Sequence, residues 1–238
     1  MKKNRKWPMR VLLLLAVGIM GVSGWLLYAD YREMQQSDEQ MDLKPQPVAD
    51  DARVLDFSAP VAQYPDIAAW LTVDNTAIDY PVVHGGDNDF YLNHTADKKS
   101  NAMGALFVDF RNHRDFSDFN TVIYGHSMRL RSDKMFAGLA KFKERAYFDS
   151  HSTGTLYLPG SSHTLEIFAV VVVDSFSDFY EYAFDSPGRC QAHLEMIEAK
   201  AMFYKELGVT AGDRILTLST CSYEFQEART LVIARIAE

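Results

Sequence analysis

Cysteine is scarce in this chain. Cys190 and Cys221 are the only two in 238 residues. There is no CxxC pair, no HExxH and no Cys/His cluster at ligand spacing, so the signatures of a metal site are missing. Gly-rich phosphate loops and the GxSxG elbow are missing as well. No cofactor is expected. Positive charge is short too: 24 Lys and Arg stand against 32 Asp and Glu, a net charge of −8. Five of the basic residues, Lys2, Lys3, Arg5, Lys6 and Arg10, fall in the first ten positions. The acidic remainder argues against nucleic acid as a partner. Internal repeats and low-complexity segments are absent.

Charge of either sign vanishes between Val11 and Ala29, "VLLLLAVGIMGVSGWLLYA". At 1.5 Å per residue this run makes about 28 Å of helix, close to the hydrocarbon thickness of a bilayer. Trp7, Trp25 and Tyr28 sit near its ends, where interfacial aromatics are favoured. The rival is a cleaved signal peptide. The run exceeds the usual h-region, and no clear A-x-A site follows, so an uncleaved anchor is expected. The basic cluster precedes it, which places the N-terminus in the cytoplasm and the body outside. The expected organisation is residues 1–30 as tail and anchor, 31–55 as a polar, acidic linker or helical stalk, and 56–238 as the body.

In the body, short β-forming runs alternate with a few helical stretches. Ile67 to Leu71 reads as a short helix, and "IDYPVVHG" as a strand with Pro81 hinting at an edge or bulge. "DNDFYLNHTAD" reads as a helical turn capped by Asp87 or Asn88. "GALFVDF" and "NTVIY" read as strands. "SDKMFAGLAKFKERAYF" has helical periodicity, with Ser132 as its cap. "TGTLYLP" and "HTLEIFAVVVVDSF" are strands. Pro187 to Leu207 is the longest helical stretch, with Gly208 as its stop. "DRILTLSTC" and "RTLVIARIA" are the last two strands. Many strands with few helices indicate a closed, mostly antiparallel β-barrel.

One question is why a strand should end in a thiol. Along "RILTLSTC", Leu216, Leu218 and Thr220 share one face; Ile215, Thr217, Ser219 and Cys221 share the other. The second face turns polar towards Cys221, as on entering a cleft. Cys221 can be a packing residue, half of a disulfide with Cys190, or a nucleophile. Cys190, at helical spacing with Leu194 and Ile197, reads as packing. A nucleophilic thiol wants a base nearby. Among seven histidines, His126 in "NTVIYGHSM" directly follows an apolar strand and a glycine, where a side chain is presented at a rim. His84 has a similar, weaker setting. His94, His113, His151, His163 and His193 read as surface. Arg229 and Arg235 share strand parity with Leu231 and Ile233. Each is either functional or half of a surface ion pair.

Together these pieces resemble a known family. "TLSTC" resembles the TLxTC motif of sortases, the membrane-anchored cysteine transpeptidases of Gram-positive bacteria. "NTVIYGHSM" is similar to the segment around the sortase histidine, and Arg229 follows on the next strand. "IDYPVVHGGDNDFYLNH", "GALFVDFRN" and the long helix before the cysteine strand are similar to class B sortases. The resemblance covers roughly residues 60 to 238. It implies an eight-stranded sortase β-barrel with added helices. It also implies cleavage of a C-terminal sorting signal after Thr through a thioester, resolved by a cell-wall peptide amine. Cys221 is then the nucleophile, His126 the general acid/base and Arg229 the group that steadies the oxyanion or positions the carbonyl. By motif position, Asn88, Leu92, Tyr124, Ser219 and Thr220 would bind substrate. The implied partners are surface proteins bearing a sorting signal, a peptidoglycan amine and the membrane. Ser222 stands where some class B members have an acid. Two rivals remain at this point: a cysteine peptidase that releases product to water, and a non-catalytic anchored binding module.

Overall fold

The computed structural model describes residues 7–48, 51–127 and 134–237. The chain begins with a long helix, α1 (Trp7–Glu39), followed by a 3-10 turn (Gln40–Leu43). A small hairpin comes next, β1 (Gln46–Val48) with β2 (Asp51–Asp56), and then a short helix, α2 (Ser58–Gln63). The body contains β3 (Ile67–Val73), β4 (Asp79–His84), β5 (Leu106–Val108), β6 (Asn120–Tyr124), α3 (Arg145–Ser150), β7 (Thr153–Leu158) and β8 (Ser161–Asp174). It ends with α4 (Pro187–Lys200), β9 (Phe203–Tyr204), β10 (Arg214–Cys221) and β11 (Ala228–Ala237).

The sheet runs β11-β10-β6-β5-β4-β3-β7-β8, and β8 pairs back onto β11. That pairing closes an eight-stranded barrel; β9 adds to β8 outside the ring. Two neighbouring pairs, β4 with β5 and β6 with β10, are parallel, and the rest of the ring is antiparallel. Closure leaves no open edge in the ring.

The barrel interior holds Leu71, Val82, Leu106, Ile123, Leu156, Leu218 and Val232, joined by Phe136, Leu139 and Phe142 from a 3-10 segment, Ala137–Lys143, and the turn before it. Outside, Leu194 and Ile197 of α4 pack on Phe168, Ile215, Leu231 and Ile233. Full burial of such an aliphatic side chain is worth about 1.5–3 kcal/mol, enough to hold a 14-residue helix against the sheet. Strands covered on both faces lose their alternation, and β10 is buried from Ile215 to Thr220.

Ile67–Leu71 is the strand β3 rather than a helix; its "IAAWL" run has no alternation because both faces are covered. The stretch after Ser132, itself outside the described residues, is not one helix. The 3-10 segment ends where Glu144 is extended, with φ −96° and ψ 122°, and α3 starts anew. α4 stops at Lys200 rather than Leu207, because Phe203 and Tyr204 pair with β8. Pro81 precedes the β5 pairing, which begins at Val82, so its missing N–H costs that ladder nothing.

Candidate active site

Strand register brings three distant residues together. In the parallel pair of β6 and β10, Tyr124 stands opposite Ser219. His126 and Cys221 each lie two residues further along, so they come side by side with the same parity, Cys221 as the last residue of β10 and His126 just past the end of β6. Gly125 between them bonds to Ser219: its N–H donates to the Ser219 carbonyl at 3.1 Å. A Cβ on Gly125 would lie 2.5 Å from Leu106 and 2.7 Å from Phe136, so only glycine lets β6 exit this close to the core. In the antiparallel pair of β10 and β11, Cys221 stands directly opposite Arg229. Facing residues share one side of a sheet, so Arg229 projects beside the thiol.

A groove of about 490 Å³ forms over these strand ends. His126, Cys221 and Arg229 all line it, and so do Asn88, Leu92, Tyr124, Ser219 and Thr220. Cys221 is half-buried, and both cysteines are free thiols, so the disulfide alternative is absent here. Cys190 is buried under α4.

His126 is oriented through its far nitrogen. Nε2 lies 2.7 Å from the Leu92 carbonyl oxygen. A carbonyl only accepts, so Nε2 carries the hydrogen and Nδ1 is left to exchange protons. The Arg229 guanidinium donates to its neighbour's carbonyl, Ala228 O, at 3.1 Å and to Glu227 Oε2 at 3.2 Å. Glu227 lines the same groove and takes a left-handed backbone, φ 60°.

The groove wall is a tyrosine pair on a buried carboxylate. Tyr124 stacks on Tyr180 with ring centroids 5.9 Å apart. Tyr124 donates to Asp109 Oδ2 at 2.9 Å, and Arg111 grips the same carboxylate with bonds of 2.9 and 2.7 Å. Burial alone would raise Asp109, yet the hydrogen bonds from Arg111 and Tyr124 hold it below the usual carboxylate range. Burial, helped by the Asp109 charge, pushes Tyr124 up, and burial pushes Tyr180 up to about 12. Both phenols therefore stay neutral. Tyr180 and Ser219 hydroxyls meet at 2.8 Å, and the Thr220 hydroxyl donates to Gly125 O at 2.8 Å. Asp87, not Asn88, caps the turn at Phe90–Leu92, accepting from Asp89 and Phe90 N–H. Asn88 instead accepts from Phe110 N–H at 3.0 Å.

The other candidates are elsewhere. Arg235 stands opposite Ile215, six residues and roughly 20 Å along the strand from Arg229. It donates through Nε to Glu166 at 2.8 Å and through Nη1 to the Leu207 carbonyl at 3.2 Å, a structural pairing. His84 bonds to the Asn112 carbonyl at 2.9 Å and does not line the groove. His193 is not at the surface: with Cys190, Leu194 and Ile197 it completes the buried stripe of α4. The stripe's i, i+3, i+4, i+7 spacing was readable in the sequence. Sequence reasoning missed Tyr180, Ser175, Phe176 and Glu227, which also line the groove. They sit on irregular loops, where no periodicity marks a role. Among the described residues, no cluster of His, Cys, Asp and Glu could hold a metal ion.

Comparison with known proteins settles the family. The model of the sortase domain matches residues 71–237. The chain belongs to the sortase family. Its similarity is to class B. Sortase B of Listeria monocytogenes is 29% identical over 237 residues, covering 94% of this chain and 95% of that protein. Sortase B of Staphylococcus aureus is 28% identical over 173 residues, covering 72% of this chain and 70% of that protein. The crystal structure of Clostridium perfringens sortase B superposes with a TM-score of 0.70 at 37% identity, covering 75% of this chain and 97% of that one. A Staphylococcus aureus sortase B–substrate complex gives 0.71 at 27% identity, covering 76% and 84%. This sortase is a cysteine transpeptidase of the cell wall, and sortases act at the cell surface.

Proposed function

We propose that Cys221, His126 and Arg229 carry the transpeptidation, acting on a surface protein's C-terminal sorting signal. The observation that supports this most is the register that puts Arg229 across from Cys221 and His126 at the end of the next strand. The Cys221 thiolate attacks the carbonyl carbon of the threonine in the sorting signal. The oxyanion so formed is steadied by the permanently charged Arg229, which has to turn part of its fork from Glu227 to the substrate. His126, protonated, gives its proton to the leaving amine as the peptide bond breaks and a thioester remains. An amine of the peptidoglycan peptide then attacks the thioester. His126 takes its proton, and the thiolate leaves. Asn88, Leu92, Tyr124, Ser219 and Thr220 line the sorting-signal groove, with Tyr180 stacked behind Tyr124.

The helix α1 supplies the location. Among the described residues it is the one helix long and apolar enough to cross a membrane. In this reading residues 1–30 are a cytoplasmic tail and anchor, 31–55 a stalk, and 56–238 the extracytoplasmic catalytic domain. The test is to incubate the chain with a library of sorting-signal peptides and identify the bond cut. Cleavage after Thr, lost in Cys221→Ala, supports the reading; cleavage that survives Cys221→Ala refutes it.

A further inference from the structure

The carbonyl that orients His126 belongs to a loop clamped from behind by the stalk. Leu92 ends the turn Phe90–Leu92, and the chain returns to β5 through Gly104. Gly104 has φ 62°, and a Cβ there would lie 2.4 Å from the Tyr91 oxygen and 2.9 Å from the Leu92 oxygen. Gly104 thus packs directly against the peptide units of Tyr91 and Leu92, and Ala105 N–H donates to Tyr91 O at 3.0 Å.

Behind this loop lies Gln40, in the turn that follows α1 and only 2% exposed. Its Nε2 donates to the Gly104 carbonyl at 3.3 Å, and its Oε1 accepts from Ala96 N–H at 3.0 Å. Asn101, also 2% exposed, ties the same loop to α1 by donating to Glu33 O at 2.9 Å and Gln36 Oε1 at 3.2 Å. Lys99 pairs with Glu39 at 3.3 Å, and Lys134 donates to Met34 O at 3.2 Å. A buried amide is costly unless both its ends are bonded, and here both are. Such a satisfied network holds its loop in one arrangement.

We propose that Gln40 is a positioning residue for His126: it locks the 93–105 loop so that the Leu92 carbonyl stands where it fixes the imidazole. This rests on reading His126 as the general acid/base. The stalk is then part of the active site, not a passive tether. Gln40→Met keeps the length and loses both hydrogen bonds. The loop relaxes, the Leu92 carbonyl shifts, and the imidazole loses its alignment with the thiol. Misplacement on that scale costs roughly ten- to a hundredfold in turnover. Leu92 also lines the groove, so KM rises as well, but by less than kcat falls.

The experiment uses the full chain in detergent micelles, with a peptide that the wild-type chain cleaves. Gln40→Met should lower kcat by roughly ten- to a hundredfold, with a smaller rise in KM. The His126 Nε2 nitrogen resonance should move as its hydrogen bond changes. An unchanged kcat, a rise in KM alone, or a fall in kcat with the imidazole resonance unmoved would each overturn the inference. If Gln40→Met does not fold, Gln40→Asn, which keeps the amide and shortens its reach, is read by the same criteria. His126→Ala separates the two levels. If it retains activity, the reading of His126 is wrong; if it is inactive while the Gln40 variants are normal, only the inference fails.

Discussion

Acid should weaken this protein through one buried histidine. His193 is 6% exposed, ringed by Phe119, Phe179 and Phe184 with centroids 5.0 to 6.2 Å away, and its Nε2 has no hydrogen-bond partner among the described residues. Burial lowers its pKa from 6.5 to about 4, against the weaker pull of Glu181 and Asp178. The folded state therefore binds fewer protons than the unfolded state between these values. Stability is complete above about 6.5 and falls as the pH drops towards 4. The full window corresponds to about 3 kcal/mol, and near pH 5 the loss is about 2 kcal/mol. His193→Leu keeps an apolar side chain of similar size and removes the titration. Urea unfolding of wild type and variant near pH 7 and pH 5 isolates the effect, because other groups cancel in the difference. The wild type should lose about 2 kcal/mol more than the variant. Equal losses in the two proteins would refute the assignment. Phe179, one of the rings around this histidine, belongs to the Asp178–Tyr180 turn that also carries the groove residue Tyr180.

Arg229→Ala should lower kcat by roughly 10²–10³, the cost of one oxyanion donor, and Arg229→Lys should stay heavily impaired because the planar fork is lost. Arg235→Ala should turn over normally and lose only stability; steady-state kinetics with the opposite ranking would place the arginine wrongly. Cys190→Ala should keep full turnover with a lower melting temperature, while Cys221→Ala should fold normally, by circular dichroism, and be inactive. Removal of residues 1–30 should leave cooperative unfolding intact, because the body has its own core. Extending the deletion to residue 44 strips Gln40 and the helix contacts to Asn101, and should reduce turnover in the same assay.

His126 and Cys221 stand out in the sequence as candidates because each comes at the end of a regular strand, where apolar patterning stops and a reactive group appears; Arg229 is singled out only by the family resemblance. Arg229 and Arg235 share parity, and only register separates them: the first faces Cys221, the second Ile215. Parity is local, whereas register depends on the whole barrel. β3 was misread because a strand covered on both faces carries no alternation. Tyr180 and Glu227 lie on loops whose geometry is set by tertiary contacts, here the Ser219 hydroxyl and the Arg229 fork. The burial of Gln40 was hidden for a similar reason. The polar, acidic composition of residues 33–43 suits a linker, yet Gln40 is buried because the 93–105 loop supplies both of its hydrogen bonds.

The transpeptidase mechanism stands or falls on the fate of the acyl group. The decisive measurement is mass spectrometry of products from the chain and a cleaved sorting-signal peptide, with and without a peptidoglycan-type peptide amine. A Cys221 thioester is expected when amine is withheld, and its conversion to an amide-linked product when amine is added. Hydrolysed peptide as the sole product at saturating amine would contradict it.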